Sequence, residues 1–349
     1  MSQLESPRSE PVQRTRSAAS LLTLLALLAA TCVLRFPALV SHPFCIDESY
    51  YSAGAAELVS GGTFFRNVVD HKPPGIYLIY ALIYRLAGVF NLTAVHVVLL
   101  LVAALTAFLV GLVAQEFFGA RAGRWAGMLY AAASVVGPAN DFQAANTELF
   151  MNLPLVAAFW LAARAWVRER ATHAEGFAMG LLVGVAVLIR PQAVWAMLPM
   201  AIVLIRRRVG LASMVLTTLG AALPLLAMAA WLWRADAIAD AATSFAYARY
   251  YTTSLPFEVK LANGTLKTLF FLAIDVGLFI PAVALIVRGR RRDLAWQRGA
   301  GCLLASWLLA SFVAAGMGGR FYPHYFIQVL PPLVIMAARQ LTVWRPEVA

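Results

Sequence analysis

What most limits this chain is its succession of apolar runs, each close to the length of a bilayer crossing and each closed by a short polar or basic loop. A hydrocarbon core of about 30 Å takes roughly 20 apolar residues in a helix. Lipid offers the backbone no hydrogen bonds, so such runs must satisfy their own as helices. Spans are expected near 18–40, 93–115, 123–139, 149–166, 175–190, 191–206, 211–233, 266–288, 299–317 and 325–342. The expected fold class is therefore all-α: a polytopic membrane helix bundle of about ten spans.

Only 13% of the 349 residues are charged and 61% are apolar, which excludes an ordinary soluble domain. The net charge of +11 does not imply a nucleic acid partner, because the arginines recur in short clusters between apolar runs, as cytoplasmic loops do. Cys32, Cys45 and Cys302 show neither metal-ligand spacing nor a disulfide framework. Arg14 and Arg16 ahead of the apolar run 18–34 look like a signal peptide, but the rest of the chain is equally apolar, so an uncleaved first span is expected.

One further run, Gly75 to Gly88, decides the topology. Its 14 residues reach only about 21 Å as a helix. If it does not cross, Arg121, Arg124, Arg164, Arg168, Arg170, the cluster Arg206 to Arg208, the cluster Arg288 to Arg292 and both termini share one side, which the positive-inside bias makes cytoplasmic. If it crosses, nearly all of those arginines are translocated. A juxtamembrane helix along the outer face is expected instead. The layout is then a basic cytoplasmic tail (1–17), a transmembrane domain (18–342) with a first outer loop (41–92), and a short cytoplasmic tail (343–349). The expected location is the cytoplasmic membrane, with the functional groups on its outer side.

Four polar stretches fall outside: 41–74, 138–148, 234–265 and 318–324. In the first, Asp47 and Glu48 open a short amphipathic segment, where a helix dipole favours acids and where a plain cap is the bland reading. Asp70-His71-Lys72-Pro73-Pro74 pins a lysine at the bilayer surface. Such a lysine either snorkels to headgroups or stabilises charge on a lipid phosphate. Asn146 suits a helix cap with Glu148 in the following turn. Arg320, Tyr322 and His324 stand beside two glycines in the last stretch; the phenol and imidazole also suit an aromatic belt, but an outward arginine opposes the charge pattern of the other loops. Asp275 lies inside an apolar run, where a hydrogen bond to a neighbouring helix is expected.

Asp47-Glu48 after the first span, His71-Lys72-Pro73-Pro74 before a short helix, Phe118-Gly119-Ala120-Arg121, Asn146-Thr147-Glu148 and Gly319-Arg320-Phe321-Tyr322-Pro323-His324-Tyr325 occur in this order. Together they resemble the integral membrane glycosyltransferases of the GT-C type, in particular the bacterial branch similar to protein O-mannosyltransferases and aminoarabinose transferases. The resemblance implies transfer of a sugar from a polyprenyl phosphate, on the outer side of the membrane, to a hydroxyl of a lipid, glycan or protein acceptor. It further implies Asp47 as general base or positioning group, with Glu48 beside it and Glu148 as the second acid. By the same resemblance Lys72 meets the donor phosphate, and His71, Asn146, Arg320, Tyr322 and His324 contact substrate. No cofactor is required, and a divalent ion between Asp47 and Glu148 is left open. A secondary transporter is the main alternative, suited by ten spans, the Arg190-Pro191 joint and Asp275; a noncatalytic scaffold is a third. Ionisable residues concentrated in loops rather than at the midplane favour surface chemistry.

Overall fold

A computed structural model describes residues 10–42, 45–206 and 210–343. Most of both expected cytoplasmic tails, and Arg207 and Arg208 of the central basic cluster, lie outside the described residues.

The chain opens with α1 (Glu10–Val40), followed by α2 (Ile46–Val59) and α3 (Gly75–Ala87) in the first loop. Next come α4 (Leu92–Phe118), α5 (Ala120–Ala133), the short α6 (Ala139–Phe142), α7 (Thr147–Val167) and α8 (His173–Ile189). A 3-10 turn (Pro191–Ala196) leads into α9 (Met197–Arg206), then α10 (Leu211–Arg234), α11 (Ile238–Thr253), α12 (Phe257–Ile274), α13 (Val276–Arg292) and α14 (Gly301–Gly316). A second 3-10 segment (Pro323–Val329) runs into α15 (Leu330–Val343). The all-α membrane bundle expected from the apolar runs is what forms. Among the described residues, five helical stretches are long and apolar enough to cross a membrane: Ser20–Val40, Leu92–Phe118, Thr147–Val167, Leu211–Arg234 and Pro323–Val343. The shorter apolar stretches include Gly75–Ala87, His173–Ile189, Pro191–Arg206 and Gly301–Gly316.

Small residues let the helices approach. Gly176, Gly180 and Gly184 form one stripe of α8 facing Thr217, Gly220 and Ala221 on α10, and a Cβ at Gly180 would run into the Thr217 carbonyl. With no hydrophobic drive between helices in lipid, such backbone contact is the main source of association. The opposite face of α10 leaves Leu219, Leu223 and Leu226 exposed, as a lipid-facing stripe does. By contrast, α15 is buried throughout Leu330–Ala338, and Phe159 of α7 stacks on Trp307 of α14 at 3.6 Å. A helix apolar on all sides belongs at the centre of the bundle.

The run at 266–288 departs from expectation. It is not one span: α12 and α13 meet at 90°, with Asp275 at the break. The backbone restarts there, Leu278 N–H donating to the Asp275 carbonyl at 2.8 Å. The side chain is buried, and its Oδ2 finds no hydrogen-bond partner among the described residues, so the expected bond from that oxygen to a neighbouring helix is absent. A polar group inside an apolar run has interrupted the helix instead of being carried through it.

The short helix of the first loop forms as the topology requires. At 13 residues α3 spans about 20 Å. It buries Tyr77, Tyr80 and Tyr84 on one side and exposes Leu78, Leu82 and Leu86 on the other. Its first residue, Gly75, sits against the Leu188 carbonyl at the end of α8, where any Cβ would collide. Thus α3 is fixed to the bundle at the mouth of the site.

Candidate active site

Asp47 and Glu48 share the first turn of α2, yet one helical step separates their environments. Glu48 is buried. Its Oε1 lies 2.8 Å from His96 Nε2 of α4, and its Oε2 accepts from the Ala145 N–H at 3.1 Å. It ties three elements together and does not line the cavity described next. Asp47 instead opens into a cavity of about 780 Å³, with Lys72, His71, Asp141, Tyr251 and His324 among its walls.

Lys72 Nζ lies 3.1 Å from Asp47 Oδ2 and donates to the Tyr51 hydroxyl at 2.7 Å. Tyr51 in turn donates to Asp47 Oδ2 at 3.3 Å. Partial burial pushes the Asp47 carboxyl up, but Lys72 first, and then the His324 ring, outweigh it and hold the group below its usual value. Burial first, then the neighbouring Asp47 carboxylate, pushes the Tyr51 phenol well above its ordinary value, so it remains a donor. The double proline after Lys72 starts α3 with its N–H-free ring at the entry, following a bend at His71 and Lys72.

Next to Lys72, His71 Nδ1 meets Asp70 Oδ1 at 2.9 Å, and its ring stacks on Tyr251 of α11 at 4.5 Å. Tyr77 donates to the other Asp70 oxygen at 2.6 Å. Burial of Asp70 is outweighed by the His71 hydrogen bond and Lys72, and its carboxyl is held low.

Across the cavity, His324 reaches in from the 3-10 segment before α15. Its Nδ1 lies 2.5 Å from Asp141 Oδ1 on α6. Its Nε2 is 3.7 Å from Asp47 Oδ2 and 4.0 Å from Glu148 Oε1. Tyr322, stacked on the same imidazole at 5.7 Å, completes that wall. Glu148 lies behind, fully buried, with Oε1 2.5 Å from Arg190 Nη1 and Oε2 accepting from Thr147 at 2.9 Å. Arg190 also covers the Tyr325 ring at 4.0 Å.

Asn146 stands at the N-cap position of α7 but makes no cap bond with its side chain. It donates instead to the Asp141 carbonyl at 2.9 Å, which holds the loop that presents Asp141. Arg320 lies just outside the cavity wall, its guanidinium 4.0 Å over the Tyr251 ring and bonded to the Tyr251 carbonyl and Ser254. Positive φ at Gly318, Gly319 and Phe321 turns that loop back over α11.

Sequence reasoning thus named most of the groups that gather here: Asp47, His71, Lys72, Tyr322 and His324 in the cavity, with Glu148 and Asn146 behind it and Arg320 at its edge. Glu48 alone faces elsewhere. The participants missed include Tyr51, Asp141, Tyr251 and Arg190. Asp141 was visible only as one acid in a polar stretch, and Tyr251 as one phenol in the loop 234–265. Arg190 was visible as an arginine before a helix-breaking proline. Among the described residues, no group of three or more His, Cys, Asp and Glu is arranged to hold a metal ion.

Residues 71–233 match the family described as dolichyl-phosphate-mannose-protein mannosyltransferase. No curated protein sequence matches the chain. The fold is shared with ArnT from Cupriavidus metallidurans bound to undecaprenyl phosphate, at a TM-score of 0.64 and 17% identity over 92% of this chain and 60% of that one. It is also shared with the Archaeoglobus fulgidus oligosaccharyltransferase tethered to an acceptor peptide, at a TM-score of 0.59 and 15% identity over 93% of this chain and 49% of that one. A third similar structure is the A. fulgidus oligosaccharyltransferase AglB with an inhibitory peptide and a dolichol-phosphate, at a TM-score of 0.57 and 14% identity over 94% and 50% of the two chains. The chain therefore spans about 60% or less of the length of these three structures. The resemblance to GT-C type glycosyltransferases drawn from the motifs is borne out by both the family match and the fold.

Proposed function

We propose that this chain, a multi-pass membrane protein with the fold of GT-C type glycosyltransferases, transfers a sugar from a polyprenyl phosphate to an acceptor hydroxyl at the outer face of the cytoplasmic membrane. The observation that carries the reading is the convergence of Lys72, Asp47 and the Asp141–His324 pair on one cavity. Displacing a phosphate from an anomeric carbon leaves negative charge on the departing oxygens and frees a proton from the acceptor. A site for that reaction needs a cation on one side of the carbon and a carboxylate or imidazole on the other.

The roles follow. Lys72, supported by Tyr51, meets the donor phosphate, with His71 and the Tyr251–Arg320 stack along the same wall. Asp47, held ionised by Lys72, receives the acceptor hydroxyl as base or positioning group. Glu148 and Arg190 form the floor that fixes His324 and Tyr325.

The sidedness rests on where the helices lead. From Glu148 in the site, α7 runs 21 residues, about 30 Å, to Arg164 and Arg168. α8 returns from His173 to Arg190 in the site. Arg164 and Arg168 are thus at the end of the bundle remote from the cavity, which supports a cytoplasmic location for them and an outer one for the cavity. On this reading both termini are cytoplasmic. Support for the lipid-linked donor comes from ArnT, seen with undecaprenyl phosphate, and AglB, seen with a dolichol-phosphate.

The test is purified protein incubated with a panel of polyprenyl phosphate sugars, hexosyl and pentosyl, with membrane extracts as acceptor and mass spectrometry as readout. Transfer of one sugar to a lipid, glycan or protein supports the reading and identifies the acceptor. Consumption of none of the donors, by protein that is folded and monodisperse, contradicts it.

A further inference from the structure

Two carboxylates near the acceptor side of the cavity are already committed to cations. Asp47 Oδ2 takes both Lys72 and Tyr51, and Glu148, without any exposure, takes Arg190 and Thr147. A base works best when its proton affinity suits the working pH, and a carboxylate gripped by an ammonium is a weak one. The imidazole between them is differently placed. His324 is only 6% exposed, its Nδ1 is fixed on Asp141, and its Nε2 has no hydrogen-bond partner among the described residues. Asp141 is an acceptor, so Nδ1 carries the hydrogen, and in the neutral ring Nε2 presents a lone pair. A buried nitrogen left unpaired is costly unless something fills the position. Nε2 is turned toward two carboxylates at the cavity wall, 3.7 Å from Asp47 Oδ2 and 4.0 Å from Glu148 Oε1.

We propose that His324, oriented by Asp141, takes the proton from the acceptor hydroxyl at Nε2, while Asp47 positions that hydroxyl. This deepens the glycosyl-transfer reading and rests on it. In the step, the acceptor O–H bond breaks and its proton moves to Nε2. The acceptor oxygen forms the new bond to the anomeric carbon, and the bond from that carbon to the phosphate oxygen breaks. The electron pair leaves with the polyprenyl phosphate, whose added charge Lys72 meets. The imidazolium that results is stabilised by Asp141 at Nδ1 and by Asp47 at 3.7 Å from Nε2, and then returns its proton to solvent. Asp141 is a positioning residue, because it acts through the ring and not on the substrate.

The groups facing the imidazole are Asp47 of α2, Asp141 of α6, Glu148 of α7 and its own neighbours Tyr322 and Tyr325, with Lys72 and Tyr51 bonded to Asp47 and Arg190 to Glu148 behind them.

The test compares His324→Ala, His324→Gln and Asp141→Asn with the wild type, using the polyprenyl phosphate sugar the wild type turns over and, separately, binding of undecaprenyl phosphate. His324→Ala should lower kcat by roughly 10²- to 10⁴-fold. It should lose the acid limb of the pH profile, leave undecaprenyl phosphate affinity close to wild type, and recover part of its rate with added imidazole. His324→Gln keeps a donor to Asp141 and should fold even where the alanine variant does not, yet be equally slow. Asp141→Asn should give an intermediate loss with a displaced acid limb. A histidine variant that retains wild-type kcat, or loses undecaprenyl phosphate binding in step with rate and gains nothing from imidazole, overturns the proposal. These outcomes are separate from failure of the transfer reading, which shows as a wild type that consumes no donor.

Discussion

Two carboxylate–cation pairs stand a few ångströms from His324, and they differ in almost every physical respect. Asp47–Lys72, at 3.1 Å, opens to the cavity, with the Asp47 side chain one-third exposed. Glu148–Arg190, at 2.5 Å, is sealed beneath it, with the Glu148 side chain wholly buried. The open pair can exchange its partner for a substrate at little structural cost. The sealed pair cannot, because removing either member strands a charge away from water. Chemistry therefore belongs to the first and architecture to the second, although both acids carry equal weight in the sequence motifs.

Substitutions should separate the two. Asp47→Asn should produce the largest effect on activity, a loss of roughly 10²- to 10⁴-fold in transfer, with a melting transition in detergent close to wild type. Retained turnover would make the open pair as structural as the sealed one. Glu148→Gln should do the reverse, costing about 3 to 5 kcal/mol of stability as Arg190 loses its counter-charge. A Glu148→Gln protein that melts like wild type but fails to transfer would move Glu148 into the chemistry.

Lys72→Ala should weaken undecaprenyl phosphate binding by about ten- to a hundredfold, the scale of a lost hydrogen bond to a charged group. Binding assays at constant salt check this. Acidification probes the open pair more gently. Because folding lowers the Asp47 pKa, its ion pair stabilises the protein above the unfolded-state value and that contribution fades as pH falls through the folded-state value. Asp47→Asn should accordingly flatten the acid side of the melting-temperature profile. Smallest of all, Arg66→Ala removes an exposed pair with Asp240 at 3.0 Å outside the cavity and should change stability by less than about 1 kcal/mol, with activity intact.

Much of this site was legible, although its loop residues carry competing explanations. Lys72 before two prolines also suits snorkelling and His324 beside Tyr322 an aromatic belt, so it was their occurrence in order with Asp47 and Glu148 that signalled function. The two adjacent acids of α2 could not be told apart, because which of them faces His96 and which faces Lys72 depends on how α2 rolls against α4. Arg190 read as a broken joint, since its partner Glu148 is 42 positions away and only the packing of α7 on α8 unites them. The apolar run at 266–288 gave no sign of a 90° bend beyond Asp275 itself. Apolar length reports the capacity to cross a membrane, not the angle at which two half-helices meet.

A structure of the full chain with bound undecaprenyl phosphate tests the central claim most directly. The account predicts the phosphate in the cavity within about 3 Å of Lys72 Nζ, with Asp47 released from the lysine and His324 still on Asp141. A phosphate held elsewhere, for instance beside Lys260 between α12 and the loop at Gly319, with the Asp47–Lys72 pair unbroken, would contradict it.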